Sequence, residues 1–548
     1  MASCSSLFDN PPYFQGVLLM SNHEHQSGCN CCNVSRRQFV SIGAGAAAVA
    51  SVAAISSTKP VFAQSRGKKM KIRVFFSLHA DVQAVPDWPN VGYDFRPHMD
   101  EYISGLKKAL PDVEFVSSLA NGPDAANQIL AEDGDSVHGY IVFQMNCWNS
   151  VIQPVAATGK PALYCDHMYA GSGGFLVYSA QLLRGNSENA GFICSSQLND
   201  IFEAAKCFNV IAKGGTPKEF VAAVTKVRQQ RTKPYNNDLK VVEDKVNCLP
   251  TKELLAKLKG IKILTIGTPW AQYAGAAKEV FDMDIVELPF SDLNAAWDKE
   301  MESNKAGVQA IVDRWKRDAV TIEEGITDET LFKSAAMFLA EKALLDQHKA
   351  MGITVNCLGG FYGQHIFAYP CMGFHELNNI ALVGGCECDI RSALTMCVLT
   401  TMTKGRPGFI SDPVMDVATR QIIYAHCVAP NKMLGPDGPA NSFEILTHSE
   451  DRQGACVRSL VPTGYMTTTI EFDMIGKRIL FHQGVAVSNS YDDRACRTKI
   501  CAEVPGDFEK LFGEWDQWGW HRVTIFGDLK KEVFALADAI GFTVLEEA

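Results

Sequence analysis

The densest run of polar residues set within apolar sequence lies at 356–412. It contains Cys357, Tyr362, His365, Cys371, His375, Glu376, Asn378, Asn379, Cys386, Glu387, Cys388, Asp389, Arg391 and Asp412. Glu387 follows the apolar run 380–383 and Gly384-Gly385, and precedes a helical pattern from about 391 to 403. A carboxylate at the carboxyl end of a strand, over the start of a helix, sits where open α/β sheets gather ligand groups. An acidic residue there also complements the helix dipole, and capping alone accounts for Asp389. Glu387 has more company: Asp412 in FISDP, His426 in YAHC and His521 in WGWHR. Two carboxylates with imidazoles form a mixed oxygen and nitrogen set that suits Mn²⁺ or a similar divalent cation. Taken singly, a histidine beside an aromatic residue is more often a satisfied structural histidine. Zinc at Cys386 and Cys388 competes, but CxC with no second pair at matching spacing lacks the zinc pattern, and both thiols read as core.

These residues need elements to position them. Short apolar runs of strand length occur at 71–77, 139–144, 161–165 and 190–194, with helical patterns between them at 100–110 and 122–132. The alternation predicts a parallel-sheet α/β domain over 70–230. A polar, Lys-rich stretch at about 228–250 reads as a linker. The rhythm restarts with IKILTI at 261–266, a helix over 271–281, a strand near 284–288, long helices over 306–319 and 328–351, and a strand over 353–358. This second α/β unit spans 255–404 and carries Glu387. From 405 to 548, Pro, Gly and Asp punctuate β-rich runs such as TTTIEF and ILFHQGVAV, before a helix at 529–540 and a last strand at 542–545. The predicted architecture is α/β, with two Rossmann-like parallel-sheet domains and a β-rich, barrel-like C-terminal domain.

The amino terminus reads as an export signal. Paired arginines in SRRQFV (Arg36 and Arg37) precede the weakly apolar Ala/Gly/Val run 41–55 and the small-x-small site Val61-Phe62-Ala63. That order predicts a twin-arginine signal over 1–63, passage through the twin-arginine translocation machinery, and a periplasmic mature protein. The leader before the arginines is long, so Met20 is an alternative start. Removing the signal leaves fourteen of the eighteen cysteines. They are scattered through apolar stretches as small buried hydrophobes would be, rather than arranged as a disulfide framework. A route that carries proteins already folded in the reducing cytoplasm fits free thiols and a metal loaded before export.

Composition narrows the partners. The chain has 548 residues, 47% hydrophobic and 20% charged, with 51 Lys+Arg against 61 Asp+Glu. That is enough for about three domains of ~150 residues. A net charge of −10 with no basic block argues against nucleic acid. No window reaches the ~18 strongly apolar residues of a membrane-spanning helix.

The stretch CECDIRSALTMCVLTTMTKGRPGFISDP resembles the metal-binding segment of L-fucose isomerase, in which a Glu, a helix and an Asp in the next strand follow one another. The ending WGWHRVTIFGDLKKEVFALADAIGFTVLEE is similar to the C-terminal segments of L-fucose and L-arabinose isomerases. SLVPTGYMTTTIEF and FHQGVAV resemble the β-rich module of that superfamily. The likeness covers about residues 70–548 and is firmer after 350. It implies that Glu387 and Asp412 are metal ligands and the acid/base pair, and that His521 is the third ligand. His426 stands where the arabinose branch has a further histidine ligand. Trp518, Trp520, Glu376 and Asn378 are the substrate-binding candidates, with core packing the alternative for the two tryptophans. The resemblance also implies a homo-oligomer that moves a hydrogen between C2 and C1 of an open-chain sugar through an enediol. Cys388 stands where the fucose enzyme has Asn, and Trp520 where it has Asn beside the terminal His. Two alternatives remain open from sequence: an exported sugar-binding protein, and an epimerase or lyase that uses the same metal site.

Overall fold

The computed structural model describes residues 69–267 and 271–548. The twin-arginine segment and the cleavage site expected at Ala63 lie outside the described residues.

The first sheet contains β1 (Met70–Ser77), β2 (Val113–Ala120), β3 (Gly139–Gln144), β4 (Ala162–Asp166) and β5 (Ala190–Ile193), all parallel in the order β2-β1-β3-β4-β5. Strands β3, β4 and β5 are buried along their whole length. Continuous apolar runs such as GYIVFQ and ALYCD suit strands covered by helices on both faces. The winding direction reverses between β1 and β3, and the loops leaving those two strands therefore splay apart to form a crevice.

The second sheet contains β6 (Lys262–Ile266) and β7 (Asp284–Leu288). After β8 (Thr321–Ile322), which pairs elsewhere, it is completed by β9 (Gly352–Val355) and β10 (Val383–Gly385), in the parallel order β10-β9-β6-β7. The strand expected over 353–358 stops at Val355. The Asn356 side chain accepts the Gly359 N–H at 3.1 Å and starts a helix at Cys357. Two helices absent from the sequence reading, Phe290–Ser303 and Cys371–Asn379, also belong to this unit.

The C-terminal region is built from β11 (Phe409–Asp416), β12 (Gln421–His426), β13 (Phe443–Leu446), β14 (Cys456–Ser459), β15 (Met466–Asp473), β16 (Arg478–Asn489), β17 (Thr498–Glu503), β18 (Arg522–Phe526) and β19 (Thr543–Glu546). Six of these follow one another as β15-β18-β11-β12-β17-β16, and pairing of β15 with β16 closes the ring. The ring pairings are antiparallel, and β19 adds to β16 in parallel. The fold class expected from sequence is thus present. One strand pairing crosses the 404/405 position, between β8 and β13.

Polar side chains fill part of the ring. Thr469 on β15 donates to Tyr424 on β12 at 2.9 Å, and Tyr424 meets His482 Nε2 at 2.6 Å. His482 Nδ1 in turn lies 2.8 Å from Glu547, which also accepts from Arg522 at 3.0 Å. Strands β12 and β15 are not neighbours in the ring, so this chain of bonds crosses it. Burial alone would raise the Glu547 carboxyl, but Arg522 and His482 reverse this and hold it below the usual glutamate value. A carboxyl lowered in the folded state contributes stability above the unfolded value of about 4.3, and loses that contribution as pH falls below it. Glu547→Gln should destabilise the protein by about 3–5 kcal/mol at neutral pH, because it leaves Arg522 buried without its counter-charge. The variant should also show a shallower fall of Tm between about pH 5 and 3 than the parent protein. Thermal melts across that range check both.

Candidate metal centre and its cavity

Glu387 lies between the end of β10 and the helix Ile390–Met402, in a turn that side-chain-bearing residues rarely adopt. Its φ is +60°, and that of Cys388 is +54°. Left-handed backbone costs roughly 1–2 kcal/mol per residue away from glycine, so the surroundings must enforce it. They do so through the Cys388 N–H on Val355 O at 2.9 Å and the Asp389 N–H on Cys386 O at 3.2 Å. The Glu387 N–H donates to the Cys357 sulfur, and the Cys357 and Cys386 sulfurs are 3.3 Å apart. The thiols read from sequence as core are therefore part of what aims Glu387. All fourteen cysteines among the described residues are free.

The ring supplies the other three groups. Asp412 is on β11, opposite Ala425 of β12, and the next residue on β12 is His426. On the other side Ser411 pairs with Arg522, so His521, just before β18, falls beside Asp412. One ligand atom from each of Glu387, Asp412, His426 and His521 can be chosen so that all four lie within 4.8 Å of one another. His521 Nε2 is 3.0 Å from Asp412 Oδ1 and 3.6 Å from Glu387 Oε2. His426 Nε2 is 3.9 Å from an oxygen of each carboxylate. Adjacent ligands around an octahedral ion with bonds near 2.1 Å stand about 3 Å apart, and the His521–Asp412 separation matches that while the other three are somewhat wider. Nε2 of both histidines is buried and makes no hydrogen bond. A divalent cation fits this donor set.

The two imidazoles differ in tautomer. His521 Nδ1 donates to Asp389 Oδ2 at 2.9 Å, which leaves the Nε2 lone pair facing Glu387 and Asp412. This is the usual way a neighbouring carboxylate fixes a ligating histidine. Asp389 also accepts the Ser392 N–H at 3.1 Å and the Ser392 hydroxyl at 2.8 Å, so it caps the helix and orients His521 at once, rather than capping alone. His426 Nδ1 instead accepts the Cys427 N–H at 3.0 Å, so in the neutral ring Nε2 carries the hydrogen. Burial pushes the Glu387 carboxyl well up, with His521 opposing and Asp412 reinforcing. Burial would lower His521, but Asp412, Glu387 and Asp389 together raise it well above its ordinary value. His426 is lowered, chiefly by burial.

Above the cluster lies a cavity that joins the first α/β unit to the ring. Asp87 and Trp88 come from the loop after β1, and Cys147 and Trp148 from the loop after β3, the two loops of the winding reversal. Glu387, Asp412, His426, His448, Glu450 and Trp520 also line it. Asn146 anchors the first loop by donating to Trp88 O at 2.7 Å, and the Val91 N–H ties it to Glu450 O at 2.7 Å. Trp520 stands edge-on to Trp88 at 5.0 Å and to Trp148 at 5.7 Å, and its indole N–H donates to Pro413 O.

Three of the expected substrate residues make their side-chain contacts with other protein groups. The Trp518 N–H bonds Glu514 at 3.3 Å and its ring carries Arg478. Glu376 holds Trp315 Nε1 at 2.6 Å and Arg314 at 2.9 Å. The Asn378 side chain both accepts from and donates to the Gly384 backbone. None of the three lines the cavity. Of the proposed substrate residues only Trp520 does. The sequence reading missed Asp87, Trp88, Trp148, His448 and Glu450. A polar and aromatic segment directly after the first strand of an α/β unit, here the DWP sequence, was the available signal for the first of these.

No protein-family profile matches the chain. It is similar to proteins named sulfoquinovose isomerase. One from Clostridium sp. (strain MSTE9) is 27% identical over 225 residues, covering 36% of this chain and 45% of the relative. One from Alkalicoccus urumqiensis is 21% identical over 342 residues, covering 58% and 74%. The first match thus spans less than half of the relative's length. Among solved structures, a sugar ABC transporter from Yersinia enterocolitica aligns at 12% identity over 55% of this chain and 69% of that one. Its TM-score is 0.16, and no argument rests on it.

His521→Gln should remove tight Mn²⁺ binding, and Asp389→Asn should weaken it by about 10–100-fold. His426→Gln should retain most of it, because its Nε2 carries a hydrogen. Isothermal titration calorimetry of the three variants checks this order.

Proposed function

We propose that the protein is a metal-dependent aldose–ketose isomerase acting on an open-chain sugar through an enediol. The observation that carries this reading is the convergence of Glu387, Asp412, His426 and His521, the first three of which line a cavity together with Trp88, Trp148 and Trp520. Names of the relatives, all sulfoquinovose isomerases, support an isomerase acting on a sugar.

Glu387, Asp412 and His521 would hold the cation. When bound, it supplies a positive charge that stabilises negative charge developing on the sugar oxygens O1 and O2. One of the two carboxylates takes the proton from C2 of the aldose, and the other assists return of a proton to C1 and moves the hydroxyl protons that interconvert the two carbonyls. No atom is gained or lost, so no redox cofactor is required. The His426 Nε2–H is suited to donate to a substrate oxygen, which separates it from the three ligands. Trp520, held edge-on by Trp88 and Trp148, offers an apolar face to the sugar carbons and excludes water from the enediol.

Export by the twin-arginine pathway to the periplasm, carried by Arg36, Arg37 and Ala63, and assembly as a homo-oligomer, carried by the family resemblance, complete the proposal.

The test is to incubate Mn²⁺-loaded protein with a panel of aldoses and ketoses in D₂O and to read deuterium at C1 and C2 by NMR. Exchange at these carbons is expected, and Glu387→Gln should lower it by about 10²–10⁴-fold. Deuterium entering at another carbon, or chain cleavage without C1/C2 exchange, would replace the isomerase with an epimerase or lyase. Absence of exchange with every sugar, despite bound metal, would defeat the isomerase reading.

A further inference from the structure

The cavity wall away from the cluster bears on which sugar enters, an inference that rests on the isomerase reading. Four carboxylates line the cavity, Asp87, Glu387, Asp412 and Glu450, and none of the described lining residues is Lys or Arg. A divalent cation would balance the charges of Glu387 and Asp412 but not those of Asp87 and Glu450. His448, the remaining basic group, is raised to about 10 and is therefore charged, but its Nδ1 faces Asp451 at 3.2 Å. That ion pair uses its charge locally.

We infer that Asp87 and Glu450 are specificity-determining residues that accept hydrogen bonds from substrate hydroxyls and exclude an anionic substituent, so that the substrate is an uncharged polyhydroxy aldehyde or ketone. Both carboxylates are held in place. Asp87 accepts the Trp88 N–H at 2.7 Å and faces His79 Nε2 at 2.9 Å. Glu450 accepts the Tyr362 hydroxyl at 2.7 Å. A carboxylate has about four acceptor positions, so each retains capacity for sugar hydroxyls, which can donate. A sulfonate, phosphate or carboxylate on the substrate has only acceptors. At this wall it would meet the like charge of Asp87 and Glu450. The Glu450 carboxyl is itself pushed up to about 7, by burial first and with Asp87 contributing against the pull of His448. This wall already disfavours its own negative charge and is poorly suited to receive another. The chain would then differ from relatives whose name specifies a sulfonated sugar.

Trp88, Trp148 and Trp520 line the cavity, so tryptophan fluorescence reads binding without chemistry. Mn²⁺-loaded protein is titrated with quinovose and with sulfoquinovose, a pair differing at the sulfonate. Binding of the neutral sugar is expected to be tighter by roughly a hundredfold or more, as like-charge contact at an interface implies. Glu450→Lys should narrow that gap at least tenfold with metal content unchanged, and Asp87→Asn and Glu450→Gln should narrow it less. Equal or tighter binding of sulfoquinovose by the parent protein overturns the inference, as does a gap unmoved in all three variants. Deuterium exchange separates the two claims. Exchange on sulfoquinovose in preference to neutral sugars overturns this inference and leaves the isomerase standing. A fluorescence preference for the neutral sugar with no exchange on any sugar supports the wall and defeats the isomerase.

Discussion

Two carboxylates, Glu387 and Asp412, stand side by side in a largely dehydrated space, and much of the structure follows from that pairing. Like charges in a low-dielectric site cannot both stay ionised without a compensating cation. In this chain that demand shows in the Glu387 carboxyl, raised by burial and by Asp412, and in the His521 imidazole, raised by the carboxylates around it. A divalent ion would meet the same demand with twice the charge, and four side chains that could hold one converge here. The arrangement is costly unless filled, and a site of this kind is a candidate for function on that ground.

Three separate devices hold the pairing. The left-handed turn at Glu387 and Cys388 is clamped by β9 and by the paired sulfurs of Cys357 and Cys386. The antiparallel register of β12, β11 and β18 sets His426, Asp412 and His521 next to one another. The reversal between β1 and β3 opens the crevice through which Asp87, Trp88 and Trp148 reach the cluster. The crossing network of Tyr424, His482, Glu547 and Arg522 stiffens the ring that carries the second of these devices.

Much of this was legible in the sequence. Apolar runs such as GYIVFQ and IKILTI announced the parallel sheets, and Glu387 after Gly384-Gly385 stood at a strand end above a helix, as the structure has it. What sequence could not supply is contact across the chain. Nothing near Glu450 or Asp87 signals that they share a cavity, because the segments meet through long-range ties, from Val91 to Glu450 and from Arg452 to Asn90. Glu376 and Asn378 looked functional because polar residues in apolar sequence do, yet they serve as buried hydrogen-bond partners for Trp315 and for the Gly384 backbone. Asp389 was read as a cap, and its second bond, to His521, spans 132 positions that no local pattern reports.

The central claim is that Glu387, Asp412 and His521 share one cation. The most direct measurement is anomalous X-ray diffraction from crystals grown with Mn²⁺, collected on both sides of the manganese absorption edge. The account predicts a single strong peak about 2.0–2.3 Å from a carboxylate oxygen of Glu387, one of Asp412 and Nε2 of His521. A fully occupied peak elsewhere, or none between these side chains at saturating Mn²⁺, would contradict it.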